Sequence, residues 1–147
     1  MARTGRCLCG EVRYELDGDL PPIVNCHCQY CRRAHGAAFV SIAWVPHSAF
    51  RFTAGESSVT RHTVGGGYRC FCTICGSRLF NGQTSETGFI TLIVSTLDDD
   101  SHPGPVLHLN LESKANWYSI TDELPQHQSF SREIIEYLKA VRSEDRC

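Results

Sequence analysis

Three cysteines within six residues constrain this chain more than any other feature of its sequence. Cys26, Cys28 and Cys31 are spaced as C-x-C followed by C-x-x-C. Residues i and i+2 of an extended chain point to the same side, and the third sulfur follows one tight turn later. A disulfide would be strained in the short C-x-C ring, whereas a tetrahedral zinc ion needs sulfurs brought together in this way. The stretch predicts three ligands of one zinc ion, with the fourth position supplied from elsewhere or left open.

The number and clustering of the cysteines indicate metal binding rather than disulfides. The chain has nine cysteines, and residues 1–6 show no apolar stretch of a secretory signal. No apolar run approaches the roughly 20 residues of a membrane span. In a reducing compartment, clustered cysteines are typical metal ligands, so we expect a cytoplasmic protein with no membrane segment. Cys147 lies apart from the clusters, and we expect it to be an exposed thiol.

Length and charge limit the possible functions. The 147 residues suit a single domain, with a core over about 3–127. The net charge is −2, from 14 basic and 16 acidic residues. Because no basic excess is available to displace counterions from phosphates, this balance argues against nucleic-acid binding as the main function.

The hydrophobic patterns predict strands over most of the chain. Cys7 to Leu16 alternates and predicts one half-buried strand that carries Cys7 and Cys9 on the same face. Residues 39–45, 68–72 and 89–97 predict further strands. Ser131 is a suitable N-cap for a single helix over about 131–143. We therefore predict an all-β fold, mainly of antiparallel sheets, with one C-terminal α-helix.

The remaining cysteines suggest a second metal site. Residues 72–76 (Cys-Thr-Ile-Cys-Gly) have the form of a zinc knuckle, and a second pair from Cys7 and Cys9 would complete a closed four-thiolate site. Such a site would contribute its binding energy to folding. Spacing alone leaves open which clusters meet. Cys70 also has two interpretations: it could be the fourth ligand of the second zinc, or a small buried apolar residue.

Longer motifs around these cysteines resemble the glutathione-dependent formaldehyde-activating enzyme family, which includes the centromere protein V group. They are residues 5–14 (GRCLCGEVRY), 26–39 around CHCQYCRR, and 71–79 around CTICGS, with a weaker match in 105–125. The resemblance implies an Mss4-like β-tent and two zinc sites. It implies a structural zinc held by Cys7, Cys9, Cys72 and Cys75. It also implies a second, catalytic zinc held by Cys26, Cys28 and Cys31.

The resemblance implies a zinc-dependent carbon-sulfur lyase that acts on an adduct of glutathione, or a related thiol, with an aldehyde such as formaldehyde. Arg32 and Arg33 could bind the carboxylates of the thiol, or could form an ordinary solvated surface. His27, between two ligands, is predicted to support the site or to pack rather than to bind metal. The alternative function is a non-catalytic two-zinc module for a protein or chromatin partner, which closure by Cys70 would favour. A third is a site whose thiolates release zinc on oxidation.

Overall fold

The computed structural model describes residues 2–83 and 88–144, so the expectation for Cys147 lies outside the described residues. Ten strands, two α-helices and short 3₁₀ turns follow one another along this part of the chain. The elements are β1 (Arg3–Arg6), β2 (Arg13–Leu16), β3 (Ile23–Cys26), α1 (Gln29–His35), β4 (Val40–Pro46), β5 (Phe50–Ala54), β6 (Val59–Val64), β7 (Gly67–Cys72), β8 (Arg78–Gln83), β9 (Phe89–Ile93), β10 (Pro105–Leu109) and α2 (Arg132–Glu144).

The chain forms two compact units. The first contains Met1–Leu20 and Ala43–His102, and the second contains Pro21–Ile42 and Pro103–Cys147. In the first unit, β1, β2 and β5 form an antiparallel sheet, and β9, β8, β7 and β6 are successive neighbours. Tyr14, Phe50 and Phe80 pack in this unit, with ring centroids 5.1 Å and 4.9 Å from Phe50. In the second unit, β10 pairs with β3 in parallel.

The N-terminal cysteines lie in a turn rather than in the strand that the alternation predicted. The segment divides into β1 and β2, and residues 7–12 connect them. Gly10 takes the left-handed conformation (φ 79°), and its N–H donates to the carbonyl of Cys7 at 3.1 Å. Leu8, which lies between the two cysteines, is consequently 87% exposed. The turn allows both sulfurs to point to one side without an extended backbone.

The second unit contains a short helix that the sequence patterns did not predict. The Cys28 side chain caps α1 and accepts the N–H of Cys31 at 3.3 Å. Gly36 ends the helix in the left-handed conformation (φ 58°). Seven residues are too few to show helical periodicity, and Cys28 is not a common N-cap residue. The sequence therefore carried neither of the two usual signals of a helix at this position.

The predicted fold class is confirmed: the chain is mainly β, with a helix at its C-terminal end. The helix α2 spans Arg132–Glu144, one residue later at each end than predicted. Ile134 is its fully buried apolar residue among the side chains described, whereas Ile135 is 39% exposed. Among residues 2–83 and 88–144, neither helix has the length and hydropathy needed to cross a membrane.

Candidate metal centres

The first sulfur group contains four cysteines from two distant parts of the sequence. Their sulfurs all lie within 4.8 Å of one another, with Cys7 and Cys9 at 3.5 Å and Cys9 and Cys72 at 3.9 Å. Cys7 and Cys72 are buried, whereas Cys9 is exposed. Four sulfurs so close together suit a closed tetrahedral site. The group brings together the four residues predicted for the structural site: Cys7, Cys9, Cys72 and Cys75.

Ser77 connects the two halves of this first group. Gly76 turns the chain back (φ 75°), and the Cys72 N–H donates to the Ser77 carbonyl at 3.0 Å. The Ser77 hydroxyl lies 3.2 Å from the Cys75 sulfur and accepts the Leu8 N–H at 2.8 Å. Hydrogen bonds from the Ser77 side chain and backbone lower the pKa of Cys75 to about 5, which favours the thiolate that a metal needs.

We expect the Ser77→Ala substitution to lower the free energy of unfolding by about 1–2 kcal/mol, because it removes the hydroxyl from two hydrogen bonds. Urea unfolding of the metal-saturated protein measures this loss. Ser57→Ala is the matched control, since Ser57 is exposed. An equal effect of the two substitutions would show that Ser77 does not stabilise the first group.

The second sulfur group contains the three cysteines of the 26–31 stretch. Cys26 ends β3, Cys28 caps α1 and Cys31 lies in its first turn, and the three sulfurs lie within 4.8 Å of one another. The pKa of Cys26 is raised chiefly by its hydrogen bond with Cys28, and that of Cys31 by its hydrogen bonds with Cys26 and Cys28. Neighbouring thiols hold their protons in this way because adjacent thiolates repel, and a cation between them removes that repulsion. The donor set therefore fits a soft metal ion.

Cys70 belongs to neither sulfur group in the part of the chain that is described. It lies on β7, opposite Phe80 on one neighbouring strand and Arg61 on the other. The residue is 4% exposed, and burial raises the pKa of its thiol to about 11. These surroundings are those of a packed apolar residue, which was one of its two predicted roles.

A buried hydrogen-bond chain extends from the second group to the surface. His27 Nε2 lies 2.8 Å from His108 Nδ1, and His108 Nε2 lies 3.0 Å from a carboxylate oxygen of Asp122. Both histidines are almost completely buried, whereas the Asp122 side chain is 48% exposed. A neutral His108 that donates to the carboxylate must accept at Nδ1, so His27 donates from Nε2. The chain thereby fixes the orientation of both rings.

The environment keeps His27 neutral and oriented. Burial is the largest cause that lowers the pKa of His27 to about 4. The Phe39 ring packs against it, with centroids 5.1 Å apart. Its Nδ1 is buried and has no hydrogen-bond partner among the described residues. Among the described residues of this unit, the group that could hold a metal ion contains the three sulfurs alone, so His27 lies beside this group and not within it.

Two further residues contact the second site and its helix. The Asn110 side-chain amide donates to the Cys26 sulfur at 3.3 Å. Arg32 donates from Nη1 to the Ser113 carbonyl at 2.7 Å and is partly buried, whereas Arg33 is exposed. Asn110 and His108 were not predicted as site residues. Their one signal in the sequence was the alternation of residues 106–111, which predicts that residues 108 and 110 share a face.

Two comparisons with known proteins found matches to this chain. The family model described as glutathione-dependent formaldehyde-activating enzyme matches residues 2–113. A crystal structure of a Rhodobacter sphaeroides protein, a structural genomics target, matches with a TM-score of 0.55 and 27% sequence identity. That alignment covers 68% of this chain and 91% of the other. No curated protein matches the chain.

The fold and the two sulfur groups define a β-sheet protein with two cysteine sites that could hold metal ions. The matched residues include all seven cysteines of the two groups. The chain belongs to the glutathione-dependent formaldehyde-activating enzyme family, as the sequence motifs predicted.

Proposed function

We propose that the chain is a zinc-dependent carbon-sulfur lyase. Its substrate would be an adduct of a small thiol, such as glutathione, with an aldehyde, such as formaldehyde; S-hydroxymethylglutathione is an adduct of this kind. The observation that supports this function most strongly is the difference between the two sulfur groups. One has four sulfurs, whereas the other has three among the described residues. A closed site stabilises a fold, and a three-ligand site keeps a position for substrate. Family membership supports the choice of thiol.

Zinc is the metal that both donor sets favour. Thiolates are soft ligands, and four-cysteine groups with a C-x-x-C knuckle are typical zinc ligands. In this proposal Cys7, Cys9, Cys72 and Cys75 hold a structural zinc, and Cys26, Cys28 and Cys31 hold the catalytic one. A zinc ion bound by three thiolates supplies a soft Lewis acid with an affinity for a further sulfur.

The chain's own residues would bind and orient the substrate. Arg32 and Arg33 lie in the helix that carries Cys31, and they are proposed to bind the carboxylates of the thiol. Arg32 already uses one Nη to hold the Ser113 carbonyl, so its remaining N–H groups would make this contact. Arg33 is exposed and can move to the ligand. The interaction is charge-assisted and therefore depends on salt.

A non-catalytic module that binds a protein or chromatin partner is the second candidate function. The observation that favours it is the exposure of two apolar side chains in the first sulfur group. Leu8 is 87% exposed and Ile74 is 65% exposed, and each lies between two cysteines of that group. Exposed apolar residues beside a rigid site are typical of protein interfaces. In this case both metals would be structural.

Native mass spectrometry of the purified chain, with and without glutathione, tests the proposal. We expect two zinc ions per chain and a glutathione adduct that is lost in Cys28→Ser, because that substitution removes a ligand of the second group alone. Cys70→Ala is the matched control and should keep both zinc ions and the adduct, since Cys70 lies outside both groups. Two zinc ions with no adduct would contradict the thiol-binding site and favour the second candidate.

The same samples test the reaction itself. With ¹³C-formaldehyde and glutathione, exchange between the free aldehyde and the adduct is followed by NMR. We expect the wild-type chain to accelerate this exchange and Cys28→Ser to leave it at the uncatalysed rate. Binding of glutathione without acceleration would show that the site binds thiols and is not a lyase.

A further inference from the structure

Asn110 has an unusual backbone conformation next to the second sulfur group. In the part of the chain that is described, it is the one residue other than glycine with a positive φ (61°, with ψ 43°). Asparagine tolerates the left-handed region better than most residues. It directly follows β10 and precedes a 3₁₀ turn, and its carbonyl accepts the Ser113 N–H at 3.1 Å. This turn fixes the direction in which the side chain leaves the backbone.

The strand pairing holds the Asn110 amide against one particular sulfur. Leu109, the preceding residue, is the partner of Cys26 in the parallel pair of β10 and β3. The ladder continues beyond that pair, because the His27 N–H donates to the Leu109 carbonyl at 2.9 Å. Donor and sulfur are therefore attached to the same pair of strands, and Asn110 Nδ2 lies 3.3 Å from Cys26 Sγ. The contact is part of the sheet geometry rather than a chance surface contact.

The chemistry of this contact follows from charge. Three thiolates around a divalent cation carry a net charge of about −1, which opposes the approach of another anionic sulfur. A hydrogen bond to a thiolate withdraws electron density from it. The Cys28 sulfur accepts a hydrogen bond from the N–H of Cys31 at 3.3 Å. The Cys26 sulfur accepts one from the Asn110 side chain. A carboxamide keeps its protons, so this donor is present at every pH at which the protein is folded.

We propose that Asn110 is a positioning residue of the second site: its carboxamide donates to Cys26, reduces the electron donation of that sulfur to the metal and so favours an additional thiolate ligand. The inference rests on the proposed function, which assigns a metal and a thiol to this group. It adds a residue whose effect on the site can be measured with the metal alone.

Cobalt(II) substitution tests the inference. In Asn110→Gly the left-handed backbone is retained and the hydrogen bond is lost. We expect its sulfur-to-cobalt charge-transfer band to move to longer wavelength, because Cys26 then donates more strongly to the metal. We also expect the affinity of the metal-loaded chain for glutathione to fall about tenfold. Asn110→Asp keeps the shape but places an acceptor beside the sulfur, so we expect a larger loss. Asn116→Gly, at an exposed position of the following loop, is the matched control and should behave as wild type.

The outcomes separate the inference from the function on which it rests. The contribution of the first group is subtracted with Cys28→Ser, which retains that group alone. Two cobalt ions per chain with identical spectra and affinities in wild type and Asn110→Gly would overturn the role of Asn110 and leave the proposed function intact. One cobalt ion per wild-type chain would overturn both. A band shift in Asn110→Gly with weaker glutathione binding supports the full proposal.

Discussion

Replacing Cys72 by serine is expected to leave the chain unfolded or without its native β-sheet structure. Cys72 is completely buried and belongs to the four-sulfur group that joins the 7–9 turn to the 72–76 knuckle. A structural zinc site contributes about 10–16 kcal/mol to folding, whereas the total stability of a domain is about 5–15 kcal/mol. The loss of one ligand therefore removes a large part of the stability of the chain. Circular dichroism and the zinc content of the purified variant measure this result.

Cys70→Ala is the matched control for Cys72→Ser, because the two residues lie on the same strand and are both buried. Cys70 is outside the sulfur groups described, so its substitution removes only a small packed side chain. We expect a loss of about 1 kcal/mol and an unchanged zinc content. A folded Cys72→Ser chain with two zinc ions would contradict the structural assignment of the first group. A loss of zinc in Cys70→Ala would restore Cys70 as a ligand.

The second large effect is expected at His108. Substitution by leucine leaves His27 Nε2–H buried without its acceptor and also removes the bond to Asp122. An unsatisfied buried donor costs about 1–3 kcal/mol, and the lost bond to a carboxylate adds to it. We expect His108→Leu to lower the free energy of unfolding by about 3 kcal/mol, measured by urea unfolding at constant free zinc. His62→Leu, an exposed histidine on β6, should change it by less than about 0.5 kcal/mol.

A double variant tests whether the hydrogen bond itself causes the effect. In His27→Leu with His108→Leu, neither buried polar partner remains, so the unpaired donor no longer exists. The double variant should therefore be more stable than the sum of the two single losses predicts, by about 1–2 kcal/mol. Strict additivity would show that the two rings contribute through packing alone and that the His27–His108 bond has no separate effect.

Much of the arrangement of the cysteines was predictable because it depends on local spacing. The 26–31 stretch and the 72–76 knuckle each place sulfurs close together over a few residues, so the sequence alone indicates ligands. Spacing alone did not decide which cysteine cluster lies next to the 72–76 knuckle. The structure places Cys7 and Cys9 there. The strand predicted over residues 7–16 was wrong in its first half, because Gly10 can turn where an alternating pattern suggests continuation.

The supports of the second site were not predictable, because they depend on strand register. His108 and Asn110 contact His27 and Cys26 only because β10 pairs with β3 in parallel at one particular register. A shift of β10 by one residue would turn His108 to the opposite face and would move Asn110 out of register with Cys26. No local pattern in residues 105–110 specifies that register. The conformation of Asn110 was equally hidden, since asparagine occurs in turns, caps and strand ends alike.

The pairing of β10 with β3 has a consequence for how the protein is made. Asn110 and Cys26 are 84 positions apart, and the histidine pair is 81 positions apart. At ribosomal rates of about 5–20 residues per second, the three cysteines emerge several seconds before the strand that supports them. During that interval they are a flexible thiol cluster that can capture a metal or be oxidised. The fraction of chains that carry the proposed zinc ion at the second group will thus depend on zinc supply and redox conditions during synthesis.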